Sequence, residues 1–399
     1  MSKPKYSFEN AVLLFVIFSA IGVSFYYTAG DLKEKVAFKG EGPQAYVNFK
    51  TKPQNFEKDW NFQFNSAQDF MLATKCYLYL KRNFGIDPSK AMYIQVLLQF
   101  LLIAFGSAFL SYTLFRNKIV ATISAISVLI TDILSLNLSR HGPSLEIPGY
   151  SGIPIGLMIF AICFFLRNRY FVTFLLSALT AYFYVNLGGM LIIFVLSYLF
   201  ARPKLVIEKS FLSGFLLYIL FMVPYVYLIL ANSAVLVSDI PRDKWVYLTR
   251  MFSFHWYPSA LYSFIPYYLT PMLFLCMLFF LSLSHIDIKG EKHQKILIGF
   301  ISVVLMTLTG VFFAEVHPTP FFIKICLHKS TMLISVISFL YIINYLYLKI
   351  ISDSPLFVFI ALLTLLLPFF SKFGIAFLPL LLLSLSDIKS ENIGLISLK

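Results

Sequence analysis

Acidic residues are scarce. Asp and Glu together number 19 in 399 residues, against 32 Lys and Arg, and all charged residues make up only 13% of the chain. A soluble domain of this length carries far more surface charge, so a soluble enzyme is excluded. Cysteines are also few. The four (Cys76, Cys163, Cys276, Cys326) show no metal-ligand spacing, and three sit in apolar runs. They read as packing residues and leave the redox compartment undefined. No P-loop, G-x-S-x-G, H-E-x-x-H or dinucleotide-type glycine motif is present. No internal repeat stands out, and the only biased segment is leucine-rich, at 378–385.

What fills the chain is apolar. Hydrophobic residues are 59% and the mean hydropathy is +0.80. Runs of roughly 20 apolar residues match a hydrocarbon core about 30 Å thick. The runs are continuous rather than alternating, which argues against a β-barrel. The expected class is all-α: a polytopic transmembrane helical bundle, one integral-membrane domain over residues 1–399. The net charge of +13 belongs to short basic loops. No basic stretch forms a soluble domain, so nucleic acid is not an expected partner and the lipid bilayer is.

Lys and Arg in short loops mark the cytoplasmic side. Residues 11–27 are too long for a signal-peptide core and lack a small-residue cleavage site before Gly30, so they read as a retained first span. Lys3 and Lys5 place the N-terminus inside. A long first extracytoplasmic loop of about 29–90 follows. Later basic turns at Arg116–Lys118, at Arg167–Arg169, at 202–209 and at 285–295 are all inside. The apolar run 170–201 has basic residues at both ends, so it must break. Two glycines in "YVNLGG" (184–189) mark the place. Two last spans near 356–370 and 373–385 bring the C-terminus back inside. The count is about twelve crossings.

The larger loops carry most of the acids, His, Trp and Pro, and all fall outside. A chemical site therefore belongs on the extracytoplasmic face. The tenth apolar run, near 319–349, holds Lys324, His328 and Lys329. As one straight helix it would put Lys324 about 7 Å and Lys329 about 15 Å deep, with Lys324 and His328 on one face. Lys324 can snorkel to the interface. Cations at the greater depth face a bundle interior or wet cavity and suit a phosphate group. An ion pair with Asp132 in the third span is the alternative.

Three outer stretches add candidates. "RMFSFHWYPSALY" (250–262) brings Arg250 and His255 beside aromatic rings. "SRHGPSLEIPGY" (139–150) holds Arg140 and Glu146. The first outer loop carries Asp31, Asp59 and Asp69, carboxylates of the kind that take a proton from a hydroxyl. Its "FMLATKCYLYLKRNF" (70–84) has the mix of a helix lying along a membrane surface.

Four patterns resemble the GT-C superfamily of polytopic glycosyltransferases, closest to its bacterial GT-C-like membrane proteins. These are "KPQNFEKDWNF" in the first outer loop, "NFGIDPSKAMYIQVLLQFLLIAFGSAFLSYTLFRN" into the second span, the interrupted run "RNRYFVTFLLSALTAYFYVNLGGMLIIFVLSYLF", and the internal basic-Ser group His328-Lys329-Ser330. "FHWYP" is similar to a His-aromatic-Pro motif of that group. The resemblance implies a polyprenyl-phosphate-linked sugar donor, an extracytoplasmic active site and an essential acid in the first outer loop, Asp31 or Asp59 by position. Arg250, His255, Lys324, His328, Lys329, Arg140 and Glu146 would contact substrate. The tandem acid pair of stricter members is missing, which leaves the base and any divalent metal open. A lipid or polysaccharide transporter and a non-catalytic assembly subunit are the rival expectations.

Overall fold

The computed structural model describes residues 8–38, 43–56, 72–131, 152–231, 241–252, 257–260, 270–351 and 355. Among the described residues every regular element is helical and none is a strand. In chain order these are α1 (Phe8–Phe38), α2 (Pro43–Thr51), α3 (Leu72–Phe84), α4 (Pro88–Phe115), α5 (Lys118–Ile130), α6 (Gly152–Leu166), α7 (Tyr170–Phe183) and α8 (Val185–Leu196). Then follow α9 (Lys209–Ala231), α10 (Arg242–Phe252), α11 (Thr270–Ser284), α12 (Glu291–Val311), α13 (Pro320–Ile325) and α14 (Thr331–Ile350). Five stretches are long and apolar enough to cross a membrane: Glu9–Gly30, Pro88–Phe115, Lys209–Tyr227, Glu291–Val316 and Pro320–Ile350. Five shorter apolar helices accompany them. The two spans expected near 356–385 lie outside the described residues.

Local chemistry sets the turns. Asp87 precedes Pro88, whose fixed φ starts α4 without losing a needed donor. At the other end Arg116 turns left-handed (φ 56°) and closes the helix. Asn117 then caps α5, its side chain accepting from the amides of Ile119 and Val120 at 2.9 and 3.1 Å. A second Arg-Asn dipeptide builds the α6–α7 turn, where Asn168 takes the left-handed conformation (φ 60°). Two short basic turns thus reverse the chain at one end of the bundle.

That end collects the basic loops. Arg116, Arg167 and Lys292 border one cleft, Arg202 reaches Glu291, Lys118 meets Glu9 near the start of α1, and His285 lies against Tyr345 near the end of α14. Four loop regions, the N-terminal helix and the end of α14 converge there, as alternation of the spans requires.

Close packing needs small residues. Gly152 and Gly156 form a G-x-x-x-G pair where α6 meets α4. A Cβ on Gly156 would sit 2.4 Å from the Leu102 Cβ, so only glycine permits this approach. Ser124 of α5 bonds Ser111 of α4 at 3.0 Å. The central helix is α14, buried from Thr331 to Ser338 and from Leu340 to Leu346, with α11 and α12 packed against it.

Three expectations change. The first helix does not stop at the end of its apolar stretch Glu9–Gly30: α1 stays helical to Phe38, so Asp31 lies in a helix rather than a loop. The segment after it folds into α2 and α3, and both pack on the start of α4, Val47 of α2 and Tyr77 of α3 against Ala91 and Met92. The tenth run is not one helix. It breaks after Ile325, Cys326 is left-handed (φ 52°), and Leu327–Ser330 forms a 3-10 turn before α14 begins. The i,i+4 face shared by Lys324 and His328 does not exist, and the depths counted along a straight helix do not apply.

Candidate functional site

The run 170–201 also breaks, and the two breaks meet. Helix α7 ends at Phe183, Tyr184 is extended (φ −154°, ψ 99°), and α8 begins at Val185. Tyr170 at the start of α7 and Tyr198 just past α8 both flank Lys295. The pair is therefore a hairpin that leaves the basic end and returns to it. Fourteen residues in α7 rise only about 21 Å, short of a 30 Å core. Such irregular backbone at depth is tolerated only where protein or a wet cavity covers it.

The second break is held by α12. A Cβ on Gly310 would lie 2.7 Å from the His328 amide nitrogen and 2.8 Å from the Leu327 Cβ. The 3-10 turn therefore rests directly on α12 backbone. One turn earlier Thr307 exchanges a 2.8 Å hydroxyl bond with Ser330. The turn is closed by the Lys329 amide on the Cys326 carbonyl at 2.9 Å and by the Thr331 hydroxyl on the His328 carbonyl at 2.8 Å.

These contacts turn Lys329 toward the first break. Its ammonium donates to the Tyr184 hydroxyl at 2.9 Å and lies 5.7 Å from the centre of that ring. Lys329 is 7% exposed and His328 is buried beside it. Among the described residues no carboxylate pairs with Lys329. Short 3-10 and π segments inside longer helices often mark hinges or functional sites; Lys329 sits in the 3-10 turn, and a π segment follows Gly310 on α12.

The π segment is Phe312–Val316, which carries Glu315 at the end of α12. It anchors a small cluster with α10, α13 and the turn Pro258–Ala260 around Trp245, Tyr257, Ala314 and Ile323. The Glu315 carboxylate accepts from Arg250 at 3.0 Å, from the Ser259 amide at 2.7 Å and from the Ser259 hydroxyl at 2.6 Å. Arg250 also covers the Tyr257 ring at 5.0 Å, and Arg242 donates to the Pro318 carbonyl at 2.8 Å. Burial pushes the Tyr257 hydroxyl above its ordinary range, and its bond to Thr249 opposes that shift. Lys324 lies 5.6 Å over the Trp245 ring.

The structure therefore places Lys324, His328 and Lys329 in one short segment, with Arg250 reaching the neighbouring α12 end. It divides them by partner: Arg250 is neutralised by Glu315, Lys324 rests on an indole, and Lys329 enters the bundle. Asp31 is in α1 beyond the first span. Asp59, His255, Arg140 and Glu146 lie outside the described residues, as do Asp69 and Asp132. Among the described residues no group of three or more His, Cys, Asp and Glu gathers. Sequence reasoning missed Tyr184 and Glu315. Tyr184 had a signal, since it opens the glycine-bearing interruption; Glu315 had only its place in "AEVHPTP".

No protein-family model, curated protein or solved structure matches the chain.

Proposed function

We propose that the chain is an integral-membrane glycosyltransferase, moving a sugar from a polyprenyl-phosphate-linked donor to an acceptor on the extracytoplasmic side of a bacterial inner membrane. The supporting observation is Lys329, a cation inside the bundle at the meeting of two helix breaks, with a hydroxyl as its partner. A buried ammonium without counter-charge is expensive. A phosphate ligand would supply that charge, and ionisable groups at such depth are functional by default.

In this reading the acceptor oxygen bonds to the anomeric carbon as the bond from that carbon to the phosphate oxygen breaks. The electron pair leaves with the polyprenyl phosphate. Lys329 stabilises the negative charge gathering there, with the Tyr184 hydroxyl fixing its direction. The acceptor proton goes to a carboxylate, Asp31 or Asp59. Lys324 and His328 would line the approach. About twelve crossings, with both termini cytoplasmic, would place the α12–α13 corner outside.

A second reading is a lipid or polysaccharide transporter. Two broken helices in contact at membrane depth favour it. Purified chain in liposomes, given radiolabelled polyprenyl-phosphate hexoses, separates the two. Sugar transfer that survives in the wild type, falls in Lys329→Met, and disappears in Asp31→Asn or Asp59→Asn supports the transferase. Movement of intact donor across the bilayer, unaffected by either Asn variant, would replace it with the transporter.

A further inference from the structure

The far end of α12 carries a second cationic feature. A cleft of about 510 Å³ is lined by Arg116, Arg167, Asn168, Glu291, Lys292 and His293. Lys292 and Gly310 are 18 residues apart on one helix, so the cleft lies about 27 Å from the Lys329 break. It belongs to neither helix break.

The last two turns of α4 form its platform. The Arg167 guanidinium lies 4.6 Å over the Phe109 ring and that of Arg116 5.9 Å over Tyr112. Lys292 donates to the Thr113 carbonyl at 3.0 Å. Three cations from three separate turns are thus aimed at one space by stacking and by one backbone bond. Among the described residues none of the three pairs with a carboxylate, while their neighbours do: Lys118 with Glu9, Arg202 with Glu208, Lys295 with Glu291. Glu291, the one acid lining the cleft, is already shared by Lys295 at 3.0 Å and Arg202 at 3.5 Å.

We infer that this cleft binds a phosphate group at the basic end of the bundle. Stacked guanidinium groups keep their N–H edges free, and that fork matches phosphate oxygens in pairs. The volume is that of a headgroup-sized ligand. The cleft sits where helices α4, α6 and α12 end or begin, the level of lipid headgroups, and basic pockets there take anionic lipids. The phosphate comes either from such a lipid or from solution, and the site uses the same contacts for both.

The test uses the full chain, purified and stripped of lipid, with native mass spectrometry to read binding of phosphatidylglycerol and phosphatidylcholine. Wild type should retain phosphatidylglycerol selectively, and Arg116→Gln/Arg167→Gln/Lys292→Gln should weaken it about a hundredfold, at roughly fivefold per cation. Arg169→Gln/Lys204→Gln/Lys209→Gln removes the same charge from exposed sites at this end and should change binding by less than about twofold. If the first triple variant does not fold, Arg116→Gln alone should still weaken binding about fivefold. Inorganic phosphate at fixed ionic strength, displacing the lipid from wild type, assigns recognition to the phosphate alone. No displacement assigns it to the lipid headgroup. Equal weakening by both triple variants, or equal retention of phosphatidylcholine, overturns the site.

Discussion

Among the described residues two lysines are buried, and they are satisfied in opposite ways. Lys295, 0% exposed, is caged. Its ammonium donates to the Phe165 carbonyl at 3.1 Å, to the Asn168 side chain and to the Tyr170 hydroxyl at 3.4 Å. It meets Glu291 at 3.0 Å and lies 5.0–5.4 Å from the rings of Phe165, Tyr170 and Tyr198. Lys329 has Tyr184. The desolvation cost is of the same kind at both positions. Where it is met inside the protein, the lysine ties α6, α7 and α12 together. At Lys329 it is met by a neutral hydroxyl, with no carboxylate partner among the described residues.

The comparison is broken most directly by removing each charge with the nearly isosteric methionine. Lys329→Met should lower sugar transfer about 10²–10³-fold, the usual cost of deleting one group aimed at developing charge. Its thermal unfolding in detergent should stay near that of the wild type, because an uncompensated charge has been exchanged for apolar surface. Lys295→Met should do the reverse. It removes the charged bonds to the Asn168 oxygen, which keeps the Tyr170 hydroxyl, and to the Phe165 carbonyl, which keeps the Asn168 amide, and should cost about 2–3 kcal/mol, read as a lower Tm with transfer per folded molecule unchanged. If both variants lose stability equally, Lys329 is a structural lysine and the proposed donor site fails.

Much of the fold was legible, and the two lysines show where legibility stopped. Hydropathy alone gives the helical class, since continuous apolar runs leave few alternatives. The interruption at Tyr184 follows from Gly188 and Gly189 and from basic residues at both ends of its run. The break at Cys326 has no such signal. Ile325-Cys326-Leu327 contains neither Gly nor Pro, and the glycine that makes room for the turn, Gly310, is on another helix. Lys295 reads as one more charge in a basic loop. Its partner Asn168 is 127 residues away, and no local pattern announces that meeting. Position in the first outer segment singles out Asp31 and Asp59 as candidate carboxylates. Asp31 turns out to continue α1.

The Lys329 side of the comparison can be sharpened without touching a charge. Gly310→Ala puts a methyl group against the His328 backbone, which cannot swing aside as a side-chain tip would. The 3-10 turn must move, at about 1–3 kcal/mol for overpacking. The expected result is a modest fall in Tm and a larger fall in transfer, because the displaced turn carries Lys329 away from Tyr184. Unchanged activity with lowered Tm would mean that this contact does not position the lysine.

A third lysine supplies the low end of the scale. Lys81 hydrogen-bonds Asp87 at the exposed corner between α3 and α4. That bond, with the charge of Lys81 behind it, holds the Asp87 carboxyl below the usual carboxylate range. A depressed folded pKa stabilises above the unfolded value, about 3.9, and the contribution disappears as pH falls through the folded value. Between pH 7 and about 4, the protection of amides at the end of α3, measured against their intrinsic exchange rates, should therefore hold steady, and fall only below that. The effect should be small and shrink further with added salt, since the pair is open to water. Asp87→Asn should remove the acid-dependent step while leaving both buried lysines, and everything that depends on them, as they were.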